Sequence, residues 1–145
     1  DTVFDKLDAN LAKAMLSIGA VKGFEIGDGF AAAQAKGSEN NDVFTVTDGK
    51  IVKKSNHSGG TLGGMSDGAP LIFRTAIKPT PSISQEQETV DKDGNPISLT
   101  ITGRHDPVIV PRAVVVVEAM AALTIVDLLF TNMSAKMDSL TTFYK

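Results

Sequence analysis

The chain contains no cysteine. That absence excludes disulfides and thiolate chemistry, and it leaves nothing that points to secretion. Histidine is scarce too. His57 and His105 stand at unrelated positions, and two such residues do not make a metal site. Charge of one sign is only slightly in excess, with a formal net charge of -3 at pH 7. There is therefore no electrostatic case for nucleic acid. The start at Asp1 has no basic and apolar signal segment. Long unbroken apolar runs are also missing. The longest, over residues 113–130, is interrupted by Glu118, Thr124 and Asp127 and reads as a buried helix rather than a membrane span. There is no internal repeat, interdomain linker or low-complexity tract. An initiator methionine is absent as well, and the chain opens at once on an amphipathic pattern. The expectation is a piece of a longer protein, left by proteolysis, processing or truncation.

What is present resembles an ordinary soluble domain. The 145 residues, 42% hydrophobic and 21% charged, are enough for one domain with a core of its own. Val3, Phe4, Leu7, Leu11, Ala14, Met15 and Ile18 recur at helical spacing and predict a helix over residues 2–18. Asp1-Thr2 can cap it, Asp5 suits its first turn, and Gly19 can stop it. Strand patterning follows over residues 20–26, then a Gly27-Asp28-Gly29 turn and a short helix over 30–35. Residues 36–41 are polar and turn-rich. Strands over 43–46 and 51–53 flank Asp48-Gly49, a hairpin signal. The stretch 55–68, SNHSGGTLGGMSDG, holds five glycines and almost no periodicity, and its polarity predicts mobility. A strand over 70–78 ends at two prolines that remove ladder donors. Strands over 87–90 and 97–101 enclose Asp91-Lys92-Asp93-Gly94-Asn95. Pro111 suits the first turn of a last helix running to about Met133, and the polar tail 134–145 is expected to fray. Two long helices framing hairpin-linked strands make an α+β fold, an antiparallel sheet covered by helices on one side.

Three segments carry chemistry. In Ser58-Gly59-Gly60-Thr61-Leu62-Gly63-Gly64 the missing Cβ atoms allow backbone to approach a flat or anionic ligand. The loop matches neither a P-loop nor a dinucleotide fingerprint, and a plain surface loop is an equal alternative. Lys78-Pro79-Thr80-Pro81-Ser82 holds one cation and two hydroxyls on a stiff, extended backbone, which suits phosphate or simply ends a strand. Gly103-Arg104-His105-Asp106-Pro107, followed by Pro111-Arg112-Ala113, gathers two guanidiniums, an imidazole and a carboxylate ahead of an apolar helix. Arg offers a donor fork for phosphate or carboxylate. Asp106 can orient Arg104 or His105, handle a proton, or form an internal Arg–Asp pair. Arg112 with Glu118 reads as a helix-packing pair, and His57 as solvated. A helix apolar nearly all round must be covered on most sides, which favours oligomerisation or a missing partner segment.

The order of these segments resembles chorismate synthase: VKGFEIGDGF at 21–30, SNHSGGTLGG at 55–64, KPTPSI at 78–83, GRHDP at 103–107 and PRAVVVVEAM at 111–120. Five ordered motifs are far more specific than any one alone, and the match runs from about Leu7 to about Leu129. The resemblance implies the family's β-α-β sandwich, a cytoplasmic homotetramer and reduced FMN as cofactor. It also implies conversion of 5-enolpyruvylshikimate 3-phosphate to chorismate by anti 1,4-elimination of phosphate, with neither nucleic acid nor membrane as partner. Carried over by position, the flavin contacts fall at Ala20, Gly63, Lys78, Pro79, Thr80, Pro81, Ser82 and Arg104, with Asn56 as a softer candidate. Asp106 matches the aspartate proposed as a proton relay. Gly19 replaces the glutamine that precedes Ala20 in many members. Val108 and Val115 replace a cysteine and a proline of the family pattern.

The family's N-terminal half, with two active-site histidines and most substrate-binding arginines, has no counterpart here. Neither His57 nor His105 replaces those histidines. The resemblance therefore implies a C-terminal portion that is inactive alone. A non-catalytic flavin- or phosphate-binding module is the alternative. Loss of Lys78, Arg104 or Asp106 would mark it, and all three are present. A convergent phosphate enzyme is the third reading.

Overall fold

A computed structural model describes residues 4–144. The elements run α1 (Leu7–Leu16), β1 (Val21–Ile26), a 3-10 turn (Gly29–Gln34), β2 (Phe44–Thr47), β3 (Lys50–Lys53), β4 (Thr61–Leu62), β5 (Met65–Ser66), β6 (Phe73–Ile77), β7 (Glu86–Val90), β8 (Pro96–Thr100), α2 (Val110–Met133) and α3 (Met137–Phe143). The expected first helix starts later than its apolar spacing implies. Lys6 is extended at its N-cap, and Asp8 rather than Asp5 is the acid of the first turn. The Asp1-Thr2 cap lies outside the described residues.

The core sits around α1. Leu11 and Met15 are fully buried and Val21 nearly so. α1 packs against α2 on one side and β1 on the other. β1 pairs antiparallel with β6, with Glu25 opposite Arg74 and Ile26 opposite Phe73. The Glu25 and Arg74 side chains bridge at 2.8 Å. Phe24 and Phe73 stack with centroids 5.6 Å apart, the kind of cross-strand aromatic contact that stabilises a two-stranded ladder.

The α+β class with antiparallel strands expected from the sequence is what forms, but the strands do not join into one sheet. The strands make four separate antiparallel pairs, β1–β6, β2–β3, β4–β5 and β7–β8. Each hairpin closes on its own turn, and the described residues supply no strand to bridge one ladder to the next. The β7–β8 hairpin is exposed almost throughout. The tail also differs from expectation: residues 137–143 form α3, with Asp138 favouring its first turn.

α2 departs most from its sequence reading. It is long and apolar enough to cross a membrane by length and composition, and the expectation was a buried helix. A half-buried stripe through Ala113, Val117, Met120, Ala121, Thr124 and Leu128 runs along it, yet no residue of α2 is buried. Only α1 lies against it extensively. The chain exposes 11031 Å², where a compact monomer of its mass would expose about 7,100 Å². Much of its apolar surface therefore lacks a cover within the described residues.

Candidate functional site

The sequence-predicted site residues fall into three stations. The first is the junction of β1 and β6. Ala20 adopts φ 70°, a left-handed conformation costing an L-residue about 1 kcal/mol. The Lys78 amide donates to its carbonyl at 2.7 Å. That bond fixes the start of Lys78-Pro79-Thr80-Pro81-Ser82, which leaves β6 with Lys78 exposed and Thr80 and Ser82 half-buried. Gln87 Nε2 and the Ile83 amide both donate to the Pro81 carbonyl, so the strap is held at both ends.

The second station is the glycine-rich stretch. It is not the open loop its composition implies, and its glycines do different jobs. Gly59 and Gly60 are buried, at φ 69° and 88°. A Cβ on Gly60 would lie 2.6 Å from the Pro70 carbonyl oxygen, and one on Gly59 would lie 2.7 Å from that of Ile72. These two glycines admit backbone, not ligand. Gly63, at φ 60°, sits at the tip between β4 and β5 with nothing within 4 Å of its Cβ position. Next to it, the Gly64 carbonyl accepts the Leu7 amide at 2.7 Å, which ties the tip to the start of α1.

The third station is the loop before α2. Arg104 is exposed and Asp106 exposed, while His105 is half-buried. Asp106 orients neither Arg104 nor His105; its Oδ2 accepts Arg112 Nη1 at 2.7 Å. The internal Arg–Asp pair is thus formed, and Arg112 takes Asp106 rather than Glu118. His105 buries Nε2 with no hydrogen-bond partner among the described residues. Arg104 and Lys78 make no ion pair among the described residues. No hydrogen bond or ion pair among the described residues joins one station to another.

The sequence reading missed what holds the second station. Lys53, Asp42 and Asp67 are only 5%, 5% and 7% exposed at their side chains. Lys53 Nζ donates to Asp67 at 2.6 Å, to Asn56 Oδ1 and Ser58 Oγ at 3.2 Å each, and to Asp42 at 3.4 Å. Asp42 also accepts the His57 and Ser58 amides and the Ser55 and Ser58 hydroxyls. Asn56 is largely committed: Oδ1 accepts from the Gly60 amide and Lys53, and Nδ2 donates to the Pro70 carbonyl. His57 is not simply solvated, since its Nδ1 lies 2.7 Å from Asp28, which also accepts Asn40. A paired lysine and aspartate give no pattern signal on polar loops; only their burial marks them.

This network titrates in a predictable direction. Burial alone would raise the Asp42 carboxyl, but hydrogen bonds from Ser58, Ser55 and His57 outweigh it and hold it far below the usual range. The Lys53 hydrogen bond likewise lowers Asp67. Burial would lower Lys53, and its bonds to Asp67 and Asp42 reverse that and raise it. Lowered carboxyls add stability above their unfolded values, about 3.9, and lose it as pH falls toward their folded ones. A raised lysine adds stability below about 10.4 and loses it as pH climbs through its folded value. Urea midpoints followed by circular dichroism should be level from about pH 5 to 9 and fall below about pH 4. Asp42→Asn should lower the neutral plateau and flatten the acid limb. An acid limb identical in wild type and Asp42→Asn would count against this account.

Comparison with known proteins gives one family. A family model described as chorismate synthase matches residues 1–130. The chain is similar to a chorismate synthase of Agathobacter rectalis, 69% identical over 145 residues, covering 100% of this chain and 40% of that protein. It is similar to one of Lachnospira eligens, 66% identical over 142 residues, 98% of this chain and 39% of that protein. It also resembles one of Methanococcoides burtonii, 58% identical over 128 residues, 88% of this chain and 35% of that protein. A solved structure titled as the crystal structure of chorismate synthase superposes with a TM-score of 0.68 at 36% identity, over 89% of this chain and 32% of that one. The chain spans about 40% of the length of the curated relatives it matches.

Proposed function

The chain belongs to the chorismate synthase family, and from that premise we propose that it is the C-terminal portion of an enzyme converting 5-enolpyruvylshikimate 3-phosphate to chorismate. In that reaction the C3–O bond breaks with loss of phosphate and the C6–H bond breaks with loss of a proton, leaving a new double bond and no net redox change. Reduced FMN, when bound, supplies electron density transiently and takes it back. One observation carries the reading: Arg104 and Lys78 stand exposed and unpaired among the described residues, Lys78 at the bonded start of its strap and Arg104 two residues before the paired Asp106. Free guanidinium and ammonium groups suit an anionic flavin and a departing phosphate.

The residues fit the cofactor in kind. Gly63 presents bare backbone into open space, as close approach to a planar ring requires. Lys78, Thr80 and Ser82 offer donors along one stiff strap, next to the strained Ala20. Arg104 would hold an anionic group. Asp106, oriented by Arg112 through Oδ2, keeps Oδ1 available for a proton. The substrate arginines and histidines belong in the remainder of the parent enzyme, whose apolar surfaces would also cover the outer faces of α2. The homotetramer and cytoplasmic location of the family are part of the same proposal.

The test is an FMN titration of this chain, oxidised and reduced, beside Arg104→Ala. Saturable binding is expected, weakened about tenfold or more when the charged hydrogen bond is lost. No chorismate should form anaerobically from this chain alone. Absence of saturable binding, or equal binding by Arg104→Ala, would sink the assignment of the flavin surface. Turnover by the isolated chain would overturn the claim that it is only a portion of the catalytic unit.

A further inference from the structure

We propose that Lys53 is the positioning residue of the glycine-rich stretch: its buried ammonium clamps both arms of the loop and so sets where the Gly63 tip stands. That the tip faces a flavin rests on the function proposed above. That Lys53 holds it does not.

The geometry is that of a hub. Lys53 ends β3, outside the stretch it organises. Its ammonium reaches the entering arm at Asn56 and Ser58 and the returning arm at Asp67. Asp42, at the approach to β2, completes the cage and accepts from Ser55, His57 and Ser58 of the entering arm. Three ammonium protons serve four oxygen acceptors, so no donor is idle. Between the two arms lies only the β4–β5 ribbon, whose ladder is two residue pairs long. A ribbon that short does not hold its own register in water. The arms meet directly through one backbone bond, Asp67 amide to Gly60 carbonyl at 3.1 Å. Apart from that bond and the Leu7 amide on the Gly64 carbonyl, the spacing of the two arms, and with it the place of the tip, is left to the charge cluster.

The electrostatics make the lysine indispensable to that cluster. Without it, two carboxylates nearly shut off from water face each other with no counter-charge, and removing one partner of a buried pair is strongly destabilising. The loss should be felt first by the arms that the ammonium joins. β1–β6 meets the loop only at its Ile26–Phe73 end and is otherwise fastened by its own ladder and by α1.

Amide hydrogen exchange on the full chain separates positioning from general support. In Lys53→Met, the amides of residues 56–68 should exchange about 100-fold faster or more, while β1–β6 amides change only a few-fold. Lys53→Ala removes a propylammonium equivalent, so added propylammonium should restore protection, and propanol or sodium chloride at the same concentration should not. Should Lys53→Met fail to fold, Asp67→Asn carries the test: faster exchange of about tenfold confined to the returning arm is expected. Unchanged loop protection, equal loosening of the loop and β1–β6, or restoration by propanol would each overturn the proposal. FMN affinity is read in parallel. If wild type binds no FMN, the flavin reading falls, and the exchange data still decide the role of Lys53.

Discussion

Gly59→Ala should bring the chain close to unfolding, while Gly63→Ala, four residues along in the same loop, should leave it folded. Both glycines have positive φ, so each substitution costs about 1 kcal/mol in backbone strain. Their surroundings separate them. A methyl at Gly59 meets the Gly27 backbone and the Ile72 carbonyl, and these atoms are themselves bonded: the Gly27 amide donates to Ile72, and the Ile72 amide donates to Gly59. Neither can yield without opening the join between the loop and the β1–β6 ladder. Overpacking and the lost hydrogen bonds add to the strain, for a total of about 3–5 kcal/mol. Domains of this size have about 5–15 kcal/mol in all, and only three apolar residues, Leu11, Met15 and Val21, are buried among the described residues. Thermal melting should fall by about 10 °C or more for Gly59→Ala and by a few degrees for Gly63→Ala. Because a methyl on Gly63 projects into open space at the tip, that variant should stay folded yet bind FMN more weakly. Equal melting losses would show that the two glycines are not doing different work.

The contrast shows where sequence reasoning stops. Asp48-Gly49 reads as a two-residue hairpin, and both residues take positive φ, 51° and 74°, as that turn demands. The β1 and β6 segments were legible from alternation and bounding prolines. Five ordered motifs were legible as a family pattern, and the family match over residues 1–130 agrees with it. The separate roles of Gly59 and Gly63 were not, because a glycine that admits backbone and one that admits a ligand are the same letter. Lys53 follows two apolar residues and precedes another lysine, a pattern that reads as a solvated strand end. Its partners lie three to fourteen residues away on loops with no period. Arg112 had two candidate acids at equal separation, Asp106 before it and Glu118 after it, and only the path of the loop decides between them. The periodicity at the start of the chain says nothing of where the helix begins, since Lys6 is extended whatever the spacing of its neighbours.

The second large effect should appear on α2. Leu123 and Phe130 are 64% and 63% exposed on a helix with no buried residue. A contiguous apolar face of this extent on an isolated chain promotes self-association. Leu123→Glu with Phe130→Glu should therefore shift the isolated chain toward monomer in sedimentation velocity, with its melting temperature unchanged or raised. The same pair, placed at the matching positions of a full-length relative, should do the opposite. There the remainder of the enzyme is expected to cover this face. Burying two carboxylates where two large apolar side chains belong should cost several kcal/mol, enough to abolish soluble protein. A full-length double variant that folds and binds FMN normally would show that this face is not covered in the parent. One that folds but sediments as a monomer would assign the face to a second copy instead. The chain as a whole exposes about 4,000 Å² more than a compact monomer would, an excess to which the α2 face and the β7–β8 hairpin both contribute. Whether the α2 face is covered decides whether this part of the enzyme can be soluble by itself. The β1–β6 junction and the glycine-rich stretch, each fastened by local bonds, should keep their geometry whether or not the face is covered.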